Sequence, residues 1–101
     1  MTSNRRRDAR RDGNELEMVR ELELYGCSVV RLVNPLDLLV GLGGVTKLVE
    51  VKTEKGKFTP AQKEFIPTWR GGFTVITYAH EARLLVEIMK TESKLINKEM
   101  N

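Results

Sequence analysis

Asp37, Glu50 and Lys52 stand inside two otherwise apolar runs, Leu36-Asp37-Leu38-Leu39-Val40 and Leu48-Val49-Glu50-Val51-Lys52. A buried carboxylate or ammonium is costly unless it is paired or binds a metal. Two hard oxygen ligands on rigid strands suit Mg²⁺ or Mn²⁺, ions that keep several waters and take few protein carboxylates. Water on such an ion becomes a nucleophile, and the ion offsets charge developing on a phosphoryl group. A lysine beside it can orient or help deprotonate the water, or neutralise the transition state. With Lys55 and Lys57 in the following loop, the set points to phosphodiester hydrolysis. The bland alternative is an internal salt bridge between Lys52 and one acid, with the other acid at a solvated strand end.

Whether the charges meet depends on the turn between the two runs. Leu36–Leu42 and Val45–Lys52 read as strands around Gly43-Gly44, a hairpin signal. A two-residue turn places Leu42 opposite Val45, Val40 opposite Lys47, and Asp37 opposite Glu50. Opposed Cβ atoms lie about 5 Å apart. Lys52, two residues on, projects from the same face as Glu50. A four-residue loop keeps both acids on one face. A three-residue loop separates them unless a bulge restores the register.

The remaining elements follow from periodicity and punctuation. Residues 14–25 carry a helical stripe of Leu16, Val19, Leu22 and Leu24, with Asp12 or Asn14 as cap and Gly26 as stop. Cys27–Val33 is β-branched and reads as a strand, broken by Asn34-Pro35. Thr59-Pro60 opens a helix through Gln62, Phe65 and Ile66, which Pro67 kinks or interrupts. Phe73–Tyr78 reads as a strand. The last helix covers His80–Met89, with Ala82, Leu85, Val86 and Met89 inward. The predicted order is αβββαβα, an α/β fold with a mixed sheet flanked by helices.

The chain has 101 residues, 41% of them apolar and 31% charged, which suits one domain with a single core. Composition divides it into a basic arm at 1–11, one domain at 12–90 and a polar tail at 91–101 that either continues the last helix or frays. Arg5, Arg6, Arg7, Arg10 and Arg11 against Asp8 and Asp12 place the whole net charge of +3 in residues 1–12. Such an arm suits phosphate-backbone contact, since arginine neutralises and hydrogen-bonds phosphate at once. A solvated tail that aids solubility is the plainer reading of it. Cys27 is the lone cysteine, and no apolar run or leader pattern predicts a membrane span or secretion. A cytoplasmic setting is expected.

Asp37 followed by Glu50-Val51-Lys52 on a hairpin, within the order αβββαβ, resembles the PD-(D/E)xK nuclease superfamily and its restriction-endonuclease-like core. LDLLVG, LVEVK and TPAQ, in that order within 27 residues, are most similar to its small VRR-NUC branch. These are stand-alone phage and bacterial domains related to Holliday-junction resolvases. The resemblance covers about Asp12 to Glu87. It implies that Asp37 and Glu50 hold Mg²⁺ or Mn²⁺, with the Val51 carbonyl as a further ligand. Glu17 on the first helix would lie near a second metal, Glu15 being the weaker match. It also implies that Gln62 positions the water or a phosphate.

The function expected is therefore a metal-dependent, structure-selective DNA endonuclease acting on branched DNA such as Holliday junctions. Catalysis would rest on Asp37, Glu50, Lys52 and Gln62. DNA contact would come from the Arg5–Arg11 arm with Lys55 and Lys57. A homodimer is expected, in a bacterial or phage-infected cell, alongside replication or recombination partners. The alternative is a non-catalytic nucleic-acid-binding module that retains the fold.

Overall fold

The computed structural model describes residues 14–100, with side chains through Lys98. The arm, Asp12 and the five arginines lie outside the described residues. The order is helix α1 (residues 14–24), strands β1 (Ser28–Arg31), β2 (Leu38–Leu42) and β3 (Val45–Val51), helix α2 (Pro60–Phe65), strand β4 (Gly72–Ile76) and helix α3 (Ala79–Met100). This is the α/β order the sequence predicts. The sheet runs β1-β2-β3-β4, antiparallel except for the parallel pair β3/β4. That parallel pair needs a crossover, and α2 with the adjoining 3₁₀ turn Ile66–Thr68 supplies it.

Strand alternation sends two sets of side chains to opposite faces. Leu38, Val40, Val45, Val49 and Ile76 are buried in the main core beneath α1 and α3, with Met18, Val19, Leu22, Ala82, Leu85, Val86 and Met89. Leu48 and Glu50 point to the other face, where Glu50 meets Gln62 of α2. Cys27 is a free thiol at the core edge, and burial raises its pKa. No helix among the described residues is long and apolar enough to cross a membrane.

One expectation is corrected. The inward stripe of α1 is Glu15, Met18, Val19 and Leu22, all buried, whereas Leu24 is 76% exposed. The stripe is thus rotated from the one the leucines alone suggested. Of the two courses open to the polar tail, the structure takes the helical one, α3 continuing to Met100. Past Met89 the helix is fastened by Lys47 Nζ to Glu92 (3.0 Å) and by Ser93 Oγ, which donates to the Gly43 carbonyl (2.7 Å). At its other end Glu81 accepts the Thr77 and Tyr78 N–H groups, and these bonds lower its pKa.

The hairpin alternatives resolve to the tight turn. Leu42 pairs with Val45, Val40 with Lys47 and Leu38 with Val49, leaving Gly43-Gly44 as the two-residue connection. Both glycines take positive φ, 59° and 85°, the backbone demanded by the primed turns that match strand twist. A Cβ on Gly43 would meet Ser93 Oγ at 2.3 Å. Gly43→Ala should therefore cost about 2 kcal/mol, from the left-handed strain and the displaced serine. A lowered midpoint in chemical denaturation checks this; an unchanged midpoint would show that the turn tolerates a side chain.

Candidate functional site

One pair beyond Leu38 and Val49, the hairpin register sets Asp37 against Glu50. Here the backbone ladder gives way to crossed side-chain bonds. The Asp37 N–H donates to Glu50 Oε1 (3.1 Å), and the Val51 N–H donates to Asp37 Oδ2 (2.9 Å). Each carboxylate is held by the strand that carries the other. The loop before Asp37 is closed by the Leu32 N–H, which donates to the Asp37 carbonyl at 2.7 Å. Two like charges are thereby fixed side by side on one rigid hairpin.

Lys52 and Gln62 complete the cluster. Lys52 Nζ donates to the Lys57 carbonyl (2.8 Å) and Gln62 Oε1 (3.1 Å), and lies 3.1 Å from Glu50 Oε2. An ammonium has three protons, and these are three acceptors. Its nitrogen also sits 5.3 Å from the Phe58 ring centroid, within reach of a cation–π contact. The short helix α2 aims Gln62. Thr59 caps it through a reciprocal box, in which Thr59 Oγ1 accepts the Gln62 N–H (3.2 Å) and Gln62 Oε1 accepts the Thr59 N–H (3.0 Å). Gln62 Nε2 then donates to Glu50 Oε2 (2.6 Å) and to the Pro35 carbonyl (3.1 Å). The amide thus makes all four of its bonds to protein groups. In this arrangement Gln62 braces Glu50 and Lys52; it does not reach toward water or phosphate.

These residues line a cleft of about 630 Å³, together with Asn14 and Glu15. Both of those come from α1. Asn14 Nδ2 donates to the Lys52 carbonyl at 3.3 Å. Glu15 is only 2% exposed, and its Oε2 lies 2.7 Å from Arg31 Nε on β1. No motif marks Arg31 as a site residue, and the sequence offers Asn14 only as a helix cap. Glu15 had a signal, since it lies one helical turn before Met18 and Val19 and two before Leu22. Glu17, the acid favoured by the family resemblance, points elsewhere. It is exposed and lines a neighbouring cavity of about 350 Å³ with Glu54 and Tyr78. In that cavity the Tyr78 hydroxyl donates to the Glu54 carboxylate, which raises the phenol's pKa.

The basic loop residues Lys55 and Lys57 are exposed beside the cleft, and the Lys57 carbonyl anchors Lys52. Arg5, Arg6, Arg7, Arg10 and Arg11 fall outside the described residues, so their contact with the cleft is not part of this geometry.

The donor set decides which metal would suit. Among the described residues no three His, Cys, Asp or Glu side chains gather as a metal site. The convergent anionic ligands are the two carboxylates of Asp37 and Glu50. Two carboxylates fit a hard divalent ion that keeps most of its water, as Mg²⁺ and Mn²⁺ do; they do not make a four-ligand zinc site.

No protein-family model, curated protein or solved structure matches the chain. Function has to be argued from the site itself.

Proposed function

We propose that the protein is a metal-dependent DNA endonuclease that hydrolyses phosphodiester bonds, built on the plan of the VRR-NUC branch of the PD-(D/E)xK nucleases. The observation that carries this reading is the crossed pair of hydrogen bonds holding Asp37 and Glu50 side by side, with the Lys52 ammonium 3.1 Å from Glu50. Two carboxylates fixed in register on one wall of a cleft, with a lysine beside them, are the kind of donor set that a hard divalent cation takes while keeping most of its water.

Asp37 and Glu50 would hold Mg²⁺ or Mn²⁺, with a backbone oxygen such as that of Val51 as a further ligand. Bound there, the ion would supply Lewis acidity toward the phosphate and a more acidic water. The protein's own groups do the rest. Lys52 offsets negative charge growing on the phosphoryl oxygens, and it orients the attacking water by exchanging one of its three protein acceptors for it. Gln62 keeps both Lys52 and Glu50 in place. Water adds to phosphorus, one ester P–O bond breaks, and the water's proton ends on the departing alkoxide. Lys55 and Lys57, with the arginine arm, would contact the DNA backbone, reading shape more than sequence. Branched DNA is the substrate proposed, cut by a homodimer in the cytoplasm of a bacterial or phage-infected cell.

The test pairs a four-way junction with a linear duplex of matched sequence, each incubated with Mg²⁺ or Mn²⁺. Wild type should cut only when the ion is present, and the junction faster than the duplex. Binding without cleavage under every metal condition would identify a non-catalytic DNA-binding module instead. Equal cutting of both substrates would remove the structural preference and leave the chemistry standing.

A further inference from the structure

The outer face of α3 carries apolar residues that the fold leaves uncovered. Leu84, Ile88 and Leu95 are all exposed, and Thr91 stands between the last two. Their spacings of four, three and four residues trace a single seam along the helix, the pattern of paired helices. The seam lies opposite the buried stripe of Ala82, Val86 and Met89 and takes no part in the protein's own core. Exposed apolar rows of this length on a folded domain mark a partner surface.

We infer that the partner is a second copy of this chain, bound through an antiparallel α3–α3 contact. Under a twofold axis between Ile88 and Thr91, Leu84 of each copy meets Leu95 of the other, and Ile88 meets Thr91. Each apolar group then finds an apolar or methyl-bearing neighbour, as a self-complementary interface requires. Charge selects the direction. In this register Glu87 of one copy flanks the seam beside Lys94 of the other, twice over. A parallel pairing would instead bring Glu87 against the other copy's Glu92, two like charges. The Glu87 side chain is 68% exposed even while 3.5 Å from Lys90 Nζ, and Lys94 is exposed.

The placement of α3 gives the pairing a consequence for the cleft. Tyr78 and Ala79, where α3 begins, line the small cavity that shares Asn14 and Thr53 with the main cleft. Ser93 lies at the hairpin turn, the far end of the sheet. Antiparallel pairing therefore sends the two clefts to opposite ends of the dimer, with the two helix starts about 30 Å apart along the pair at 1.5 Å per residue. The existence of a dimer belongs to the function proposed above, but this surface and its register stand independently of the nuclease chemistry.

Sedimentation equilibrium of the full chain without DNA, up to about 0.2 mM, reads the pairing directly. Wild type should approach twice the 11.5 kDa chain mass. Leu84→Glu alters both outer layers and should weaken association at least ~10-fold, with unchanged circular dichroism because the site is exposed. Glu87→Lys and Lys94→Glu should each weaken it ~2- to 5-fold, and the double exchange should restore it. A wild-type monomer throughout would overturn the proposal. So would a dimer indifferent to Leu84→Glu, or a double exchange no better than the single ones, either of which would direct attention to another surface such as the β1 edge. Junction cleavage by a monomeric Leu84→Glu variant would separate failure of this interface from failure of the nuclease reading.

Discussion

Asp37→Asn is expected to lower metal-dependent DNA cleavage by about 10³-fold while leaving the fold intact. The amide oxygen of asparagine can still accept the Val51 N–H that Asp37 Oδ2 now accepts at 2.9 Å. Its loss is the negative charge alone, and with it one of two anionic ligands. Lys52→Met should lower cleavage by about 10²- to 10³-fold by a different route. It removes the ammonium but keeps both carboxylates. Thermal shift with Mn²⁺ separates the two roles. A cation that binds only the folded state raises its stability in proportion to the logarithm of its excess over Kd. Wild type and Lys52→Met should be stabilised by Mn²⁺, and Asp37→Asn should not. Wild-type cleavage by Asp37→Asn would remove Asp37 from the site.

Glu50→Ala is expected to be the most damaging single change for stability, costing about 3–5 kcal/mol. Glu50 is 2% exposed and receives the Asp37 N–H, Gln62 Nε2 and Lys52 Nζ. Truncation removes the counter-charge of an ammonium whose side chain is only 15% exposed and leaves it two neutral acceptors, the Lys57 carbonyl and Gln62 Oε1. It also leaves two further donors without their acceptor, and the amide of Gln62 can then turn. For a domain of this size each kcal/mol moves Tm by about 4–8 °C, so a fall of about 15 °C or more is expected. Glu50→Gln keeps an acceptor in place and should lose much less stability. Calorimetry of the two variants settles the point. A Glu50→Ala protein melting within a few degrees of wild type would mean that the cluster is solvated, not buried.

Much of the architecture was readable because its signals are local. Thr59-Pro60 announced α2, and Gln62 three residues after the threonine completed the capping box found in the structure. Gly43-Gly44 announced the hairpin of β2 and β3, and a β-branched run announced β1. Where the sequence left a choice open or pointed the wrong way, a neighbour in space decided. Residues 91–100 look like a polar tail because no core side chain requires them to be helical. They remain in α3 because Lys47 and Gly43, distant in sequence, fasten Glu92 and Ser93. Leu24 fits a helical stripe on hydrophobicity and yet is exposed, since the packing of α1 turns Met18 inward instead.

The candidate site divides along the same line. Asp37, Glu50 and Lys52 were legible in the sequence because charge inside apolar strands is an energetic anomaly, and the hairpin period converts that anomaly into a shared face. Three arrangements of the turn were compatible with the residues, and only the folded backbone chose the two-residue one. Sequence could name Gln62 but not its task, because whether an amide reaches solvent or braces its neighbours depends on what surrounds it. The choice between Glu15 and Glu17 was also left to tertiary structure. Both sit on one turn of α1, and the rotation of that helix against the sheet sends Glu15 into the cleft beside Arg31 and Glu17 to the next cavity. Chain-local chemistry determined which groups this protein brings to a reaction; long-range packing decided which of them meet.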